Sequence, residues 1–228
     1  MTHQSPYFYP LPYQNLIDRF SSPFARLASG KSATIVGMHG NGRTSHLRFI
    51  SSQKELQNDL NLPPEKHALI FFDIDRTDAT SISFLSDLLL NIAKRRKSEP
   101  QKDLDQILIS RDSYLITHHI FDLISSITTY QQVTIIITLN ERCLSFISDI
   151  DRVVVQIQKA ASKHPVAILW SIDLTVLANY QPGHTSSTFI SGLTYHPTFT
   201  QEETIYCLER HAVNEDKQLP AMIRKSCM

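Results

Sequence analysis

The chain has 228 residues, of which 42% are hydrophobic and 19% charged, and this composition is ordinary for a soluble globular protein with one sizeable domain. Lysine plus arginine and aspartate plus glutamate number 22 each, so the net charge gives no argument for a nucleic-acid or membrane partner. The three cysteines have no C-x-x-C spacing, which indicates neither a zinc site nor a disulfide framework and favours a reduced, cytoplasmic setting.

The N-terminal residues predict an extended arm followed by helical turns. Residues 1–14 mix prolines with aromatic residues and lack the basic and apolar regions of a signal peptide. We expect the aromatic rings either to pack on the domain or to be available for binding a partner. Residues 15–29 carry apolar side chains at helical spacing, with a break or a new helix start at Ser22 and Pro23. No apolar run in the chain approaches the ~20 residues that span a bilayer.

The most informative stretch joins a short apolar run, a glycine-rich loop and a helix. The run covers residues 33–36, and the helix is predicted over residues 44–53. This is the context of a phosphate-binding loop, because glycines let backbone N–H groups converge on an anion and the helix N-terminus adds its dipole. A strand-to-helix turn that matches by chance is the alternative. The residues expected to bind phosphate are Gly37, Gly40, Asn41, Gly42, Arg43, Thr44 and Ser45.

The loop reads G-x-x-x-x-G-R-T, one residue away from the G-x-x-x-x-G-K-[ST] motif of P-loop NTPases. Arg43 stands where that motif has lysine. Arginine is longer, planar and always charged, so the exchange is not conservative at a shaped site, although Arg43 can still pair with phosphate oxygens. The hydroxyl of Thr44 is expected to bind Mg²⁺.

Residues 68–73 form a continuous apolar run, which is typical of a strand buried on both faces of a parallel sheet. Asp73, Asp75 and Asp78 follow at its end, where turn and helix-capping roles are a better interpretation than a metal site. A helix is predicted over residues 80–94. The basic residues 94–97 that end it are interpreted as a solvated complement to the helix dipole rather than as a nucleic-acid contact.

A second informative stretch is the β-branched run 133–138, which predicts a central strand after a helix over residues 112–129. In P-loop NTPases such a strand ends in an acid that holds Mg²⁺, often followed by a glutamate that polarises the attacking water. Here the pair is Asn140 and Glu141, so the metal would meet a neutral carbonyl oxygen while the base keeps its charge. A polar strand end before a helix is the alternative.

The C-terminal part continues with a helix over residues 144–162 and a buried strand over residues 166–170. A polar residue after that strand, taken as Ser171, is expected either to contact a γ-phosphate or to serve only as a capping residue. A loop over residues 180–192 leads to a short fifth strand at 192–196. Thr200 to Glu203 resemble a capping box that starts a helix to about residue 212, and another helix is predicted over residues 219–227.

This order of elements resembles the nucleotide-binding domain of the AAA+-like STAND ATPases, near the archaeal-type and origin-recognition-like ATPases. The glycine loop is the motif-specific part. The strand that ends at Asp73, the pair Asn140 and Glu141, a strand at 166–171 similar to the sensor-1 strand, and the step into a helical lid at 195–203 continue the likeness. Arg43 for lysine and Asn140 for aspartate are the departures.

The resemblance implies an α/β fold, a P-loop NTPase-type three-layer domain with a parallel sheet and the start of a helical lid. It divides the chain into an N-terminal arm and helix (1–30), a nucleotide-binding core (31–196) and a lid (197–228) that is expected to be truncated. It also implies ATP or ADP with Mg²⁺ as cofactors and a signalling or assembly switch with slow or absent hydrolysis, in which Glu141 would orient water.

Two other functions stay open at this point. The chain is alternatively a protein-interaction module that keeps the fold and has lost the nucleotide, which both motif changes together favour. A nucleic-acid-binding ATPase rests only on the basic residues 94–97 and on analogy. A protein partner or self-association is expected under the first two hypotheses, and a membrane partner under none.

Overall fold

The computed structural model describes residues 10–73, 81–94, 101–145, 147–179 and 191–214. Their strands are β1 (Ala33–Gly37), β2 (His67–Asp73), β3 (Gln132–Leu139), β4 (Val166–Asp173) and β5 (Leu193–Tyr195). Their α-helices are α1 (Tyr13–Ala28), α2 (Arg43–Ser52), α3 (Lys54–Asp59), α4 (Ser81–Ala93), α5 (Gln101–Ser110), α6 (Ser113–Thr128), α7 (Ile147–Ala160), α8 (Leu174–Asn179) and α9 (Gln201–Asn214). None of the helices in these ranges combines the length and the apolar character needed to cross a bilayer.

The five strands form one sheet in the order β2-β3-β4-β1-β5, and every neighbouring pair is parallel. Gly37 at the end of β1 is paired with Asp173 at the end of β4, and Leu139 of β3 is paired with Ile172 of β4. The carboxyl ends of these three strands therefore meet at one edge of the sheet, where open parallel sheets bind ligands. The predicted α/β class with a parallel sheet is confirmed.

Successive strand residues point to opposite faces, so the sheet buries two hydrophobic cores. On one face Ile136 and Leu169 pack with apolar side chains of α1, α2 and α3. On the other face Ile137 and Trp170 pack with side chains of α4, α6 and α7. Helices thus cover both faces, which is the predicted three-layer arrangement.

The first helix differs from its prediction because α1 runs through Ser22 and Pro23 without a break. Proline in a helix removes one backbone hydrogen bond and costs about 3 kcal/mol. Here Pro23 itself is buried, and Phe20 and Phe24 are buried beside it. Burying two such aromatic side chains contributes about 1.5–3 kcal/mol each, which offsets that cost.

Among the other elements, some predictions are confirmed and some differ from the structure. The capping box of α9 is confirmed, since the Thr200 backbone N–H donates to Glu203 Oε2 and the Glu203 backbone N–H donates to Thr200 Oγ1. β4 is longer than predicted, because it continues to Asp173 before α8 begins. The short helices α3, α5 and α8 were not predicted. The predictions for the arm at 1–9, for Asp75 and Asp78, for the basic residues 95–97, for the loop at 180–190 and for the helix at 219–227 lie outside the described residues.

Candidate functional site: the glycine-loop cavity

The glycine loop connects β1 to α2 and turns sharply at two left-handed residues. Gly40 has φ +80° and Gly42 has φ +73°, a region that residues with a Cβ rarely adopt. The first helical hydrogen bond runs from the His46 N–H to the Gly42 carbonyl at 2.9 Å. A cavity of about 260 Å³ is lined by Met38, His39, Gly40, Asn41, Gly42, Arg43, Thr44, Ser45, Thr138, Leu139, Asn140 and Asp173.

Arg43 is the buried cation of this cavity, with a relative exposure of 6%. Its Nε donates to Ser171 Oγ at 2.8 Å, whereas its Nη1 is buried and has no hydrogen-bond partner in the part of the chain that the structure describes. Burial lowers the pKa of the guanidinium, and the negative charge of Asp173 opposes that shift. The charge is therefore desolvated and only partly compensated.

Gly37 and Asn41 make room for this side chain. A Cβ on Gly37 would lie 2.8 Å from Arg43 Nη1 and 2.2 Å from Asn41 Nδ2, so any other residue would displace the ends of both side chains. Asn41 is buried, its Nδ2 donates to the His196 carbonyl at 3.2 Å, and its Oδ1 accepts from the Arg43 N–H at 3.3 Å. Asn41 thereby holds the loop against the segment that leads to α9.

The ends of β3 and β4 supply the opposite wall. Asn140 Oδ1 accepts from the Arg142 N–H at 2.9 Å and lies 3.7 Å from Cys143 Sγ, so its side chain caps the 3-10 turn Glu141–Cys143. Glu141 is exposed and lines a second cavity of about 460 Å³. Asp173 is buried and lines both cavities, and its Oδ2 lies 3.3 Å from His39 Nδ1.

The structure thus brings most of the predicted site residues together. Gly40, Asn41, Gly42, Arg43, Thr44, Ser45 and Asn140 line one cavity. Glu141 lies in the adjoining cavity. Ser171 lies beneath Arg43 and is fully buried, outside the residues that line either cavity. The roles assigned to these residues remain predictions. Sequence reasoning missed Asp173, and the available signal was a second polar residue after the same strand.

A second polar cluster lies on the other side of the loop, where α1, α2 and the segment before α9 meet. His46 and His196 are buried with His46 Nδ1 3.4 Å from His196 Nε2. Burial, the neighbouring imidazole and the Arg19 charge lower the pKa of His46 to about 3. Burial and the Arg19 charge likewise lower the pKa of His196 to about 4. Both rings are therefore neutral at pH 7.

The same cluster contains a buried ion pair between Arg19 of α1 and Glu203 of α9, whose side chains are 8% and 3% exposed. Arg19 also donates to the carbonyls of Pro197 and Thr198 at 2.9 and 3.2 Å. Burial raises the pKa of Glu203, but hydrogen bonds from Thr200, Asn15 and Arg19 outweigh it and lower the pKa overall. This cluster fixes the start of α9 to α1.

Comparisons with known sequences give no match. No protein-family model matches the chain. No curated protein matches it in sequence.

Comparisons of structure do identify a fold. The chain is similar to the Orc1 protein of Aeropyrum pernix in complex with DNA (TM-score 0.59, 13% identity, covering 90% of this chain and 50% of that one). It is also similar to the Orc2 protein of Aeropyrum pernix in ADPNP–ADP complexes (TM-score 0.59, 13% identity, covering 92% of this chain and 54% of that one). A third similar structure is Cdc6p of Pyrobaculum aerophilum (TM-score 0.51, 14% identity, covering 92% of this chain and 52% of that one). The chain spans about half the length of each, and its fold is that of AAA+ P-loop ATPases.

Proposed function

We propose that this chain is a nucleotide-binding domain that takes ATP or ADP with Mg²⁺ and acts as a signalling or assembly switch of STAND type with slow or absent hydrolysis. The observation that carries the proposal is the buried guanidinium of Arg43, whose Nη1 has no hydrogen-bond partner among the described residues and which lines the glycine-loop cavity. The Orc2 neighbour in ADPNP–ADP complexes supports a nucleotide as the ligand.

The physical reason is the cost of burying that cation. Moving a charged group out of water costs several kcal/mol after relaxation, unless an opposite charge and hydrogen bonds compensate it. A phosphate group in the loop would accept from the Arg43 guanidinium and from the N–H groups of residues 40–45, and the positive end of the α2 dipole would attract it. An anion of this kind would compensate the free energy that is lost when the Arg43 guanidinium is buried.

The remaining roles follow from the positions of the other predicted residues. Thr44 and Asn140 line the cavity, and the Thr44 hydroxyl would offer an oxygen ligand to Mg²⁺. Asn140 is the second ligand that the sequence predicts, but its Oδ1 already accepts from the Arg142 N–H. Glu141 lies in the adjoining cavity, where it would orient water. Both the arginine at the lysine position and the neutral Asn140 make fast hydrolysis unexpected, which favours a switch read out through binding.

Thermal unfolding with and without millimolar Mg-ADP and Mg-ATP tests the proposal. A ligand present at about 100 times its Kd adds about 2.7 kcal/mol of stability, which for a chain of this size raises Tm by about 5–10 °C. Arg43→Ala should abolish that shift. Arg48→Ala is the matched control, because Arg48 lies on the same helix but pairs with Asp73 and should keep it. Absence of any shift in the unsubstituted protein would refute nucleotide binding.

An interaction module without nucleotide is the second candidate, and two contacts favour it. Arg43 Nε is tied to Ser171, and Asn140 Oδ1 is used to cap its own turn, so both departures from the motif are held by the protein itself. Under this alternative the chain binds a protein partner or a second copy of itself. DNA as a partner rests on the basic residues 94–97 of the sequence and on the Orc1 neighbour in complex with DNA. A cytoplasmic setting stays a proposal as well.

A further inference from the structure

We propose that Asp173, at the carboxyl end of β4, supplies the carboxylate that faces the divalent cation in this site, in place of the acid that Asn140 lacks at the end of β3. This inference rests on the proposed function and names the residue through which the metal acts. The glycine loop, Thr44 and Asp173 line one cavity, and Asp173 extends into the adjoining cavity that Glu141 lines.

The position of Asp173 follows from strand register. It is paired with Gly37, the last residue of β1, and it directly follows Ile172, which is paired with Leu139 of β3. Asn140 and Asp173 therefore lie at neighbouring strand ends on the same edge of the sheet. Because neighbouring strands lie about 4.8 Å apart, an acid at the end of β4 reaches the same cavity as an acid at the end of β3 would.

Electrostatics gives the first reason to place a cation beside Asp173. The carboxylate is 8% exposed and belongs to the same cavity wall as the loop that would hold phosphates. Two anionic groups in a partly desolvated cavity repel each other, and the one nearby guanidinium, that of Arg43, would have to serve both a phosphate and Asp173. A divalent cation turns that repulsion into attraction to both groups.

The known contacts of Asp173 leave it available for this role. Among the described residues its one contact of ion-pair length is with His39, whose side chain is 93% exposed and can turn into solvent. Arg43 interacts with Asp173 through space but donates its Nε to Ser171 instead. The unpartnered Nη1 of Arg43 is the reason to place an anion in the cavity, and the buried carboxylate of Asp173 is the reason to place a cation beside that anion.

Asn140 is poorly suited to replace it. Its Oδ1 already accepts from the Arg142 N–H, with Cys143 Sγ as a second neighbour, which occupies the lone pairs that a metal would need. The described residues contain no group of three or more His, Cys, Asp or Glu side chains placed to hold a metal. This agrees with Mg²⁺, which proteins usually hold through one or two carboxylates together with substrate phosphates and water.

The test measures ADP affinity by calorimetry in Mg²⁺ and in EDTA for the unsubstituted chain, Asp173→Asn and the double variant Asn140→Asp with Asp173→Asn. We expect Mg²⁺ to raise affinity about tenfold or more in the unsubstituted chain and less than twofold in Asp173→Asn. In EDTA, Asp173→Asn should bind ADP more tightly than the unsubstituted chain, because the repulsion is gone. A residue with only a structural role would weaken binding in both buffers.

The double variant should recover most of the Mg²⁺ response, because it returns a carboxylate to the neighbouring strand end. Asp122→Asn, an exposed acid on α6, is the control and should leave every value unchanged. An unchanged Mg²⁺ response in Asp173→Asn would overturn the role of Asp173 while leaving nucleotide binding intact. Failure of the unsubstituted chain to bind ADP in either buffer would instead refute the proposed function, and the inference with it.

A second measurement needs no variant and so does not depend on how Asp173→Asn folds. Fe²⁺ in place of Mg²⁺, with ADP, ascorbate and peroxide, cleaves the backbone next to the metal, and mass spectrometry locates the cut. Cleavage next to residue 173 is expected. Cleavage confined to residues 140 and 141 would assign the metal to β3 and overturn the inference.

Discussion

The two sides of the glycine loop handle buried charge in opposite ways. Towards α1 and α9, Arg19 and Glu203 form an ion pair, and both groups have further hydrogen bonds. Towards β3 and β4, Arg43 and Asp173 are as deeply buried, but they are not joined by an ion pair, and Arg43 Nη1 has no hydrogen-bond partner in the described residues. On one side the buried charges are paired within the protein, and on the other a buried cation keeps a donor without a partner among the described residues.

The difference separates a polar network whose buried charges are paired from the cavity that we propose as the binding site. A satisfied polar network rigidifies the elements that it joins, whereas an unsatisfied one costs stability until a ligand binds. The pair His46 and His196 lies on the satisfied side, next to the backbone that shapes the loop. The loop is thus fixed by contacts on the side of α1 and α9, and its other side borders the cavity.

The largest effect is expected on the satisfied side. Glu203→Ala leaves the Arg19 cation buried without its partner and removes the capping box of α9, so the free energy of unfolding should fall by about 3–5 kcal/mol. Urea unfolding at pH 7.5 measures it. Arg152→Ala removes an exposed pair with Asp149 and should cost at most about 1 kcal/mol. Equal losses in the two variants would show that the Arg19–Glu203 pair is no more than a surface contact.

The next effect is a loss of stability in acid that comes from His46 and His196. Because their folded-state pKa values of about 3 and 4 lie below the ordinary value of 6.5, the unfolded chain binds more protons below pH 6.5. Stability is therefore complete above pH 6.5 and falls as the pH drops, by about 1.4 kcal/mol per pH unit for each histidine.

At pH 5.0 this amounts to about 2 kcal/mol for each histidine. Urea unfolding at pH 7.5 and 5.0 checks it, with His46→Gln as the comparison. The variant should lose about 2 kcal/mol less between the two pH values than the unsubstituted chain. The same loss in both proteins would show that His46 does not titrate in this way.

Two glycines of the loop allow a direct comparison of the two sides. Both have positive φ, so alanine strains either position by about 1–2 kcal/mol. At Gly42 the new Cβ would also lie 2.8 Å from Phe199 Cζ and 3.1 Å from the His46 ring, whereas at Gly40 it meets nothing within 4 Å. We expect Gly42→Ala to cost about 1–3 kcal/mol more than Gly40→Ala in urea unfolding. Equal costs would show that the closed side adapts to the methyl group.

The smallest change in the free energy of unfolding, and the most diagnostic one, is expected for Arg43→Met in the nucleotide-free protein. Arg43→Met loses the hydrogen bond to Ser171, worth about 1 kcal/mol, but it also removes a desolvated charge, so the free energy of unfolding should change by less than about 1 kcal/mol. Urea unfolding of nucleotide-free protein measures it. A loss of 3 kcal/mol or more would place Arg43 with Arg19 among the structural charges.

Local patterns in the sequence predicted the strands and the position of the glycine loop between β1 and α2. Runs such as Ile135–Ile137 are buried on both faces of a parallel sheet, and no other element of their length needs so many β-branched residues. The helix α3 escaped prediction because it is short and polar. In α5 the helical spacing of Leu104, Ile107 and Leu108 was present in the sequence and was missed. Element order sufficed to predict the fold class.

The choice between Ser171 and Asp173 shows where prediction ended. The apolar run stops at Trp170, so the strand was expected to end there and Ser171 to meet the ligand. In the structure the strand continues because β1 pairs with it as far as Gly37, which moves the rim of the sheet to Asp173. The ion pair Arg19–Glu203 joins residues 184 positions apart, and no local signal announces such a contact.

The position of β4 in the sheet also decides when the cavity forms during folding. Arg43 and Ser171 are 128 residues apart, and β4 lies between β1 and β3. Closing so large a loop costs conformational entropy, and parallel pairing between distant segments is slow. A nascent chain that ends after α7 contains the glycine loop and Asn140 but has no strand to lie between β1 and β3. The insertion of β4 is therefore the step that joins β1 to the pair β2 and β3 and brings both walls of the cavity together, before β5 adds to the other side of β1.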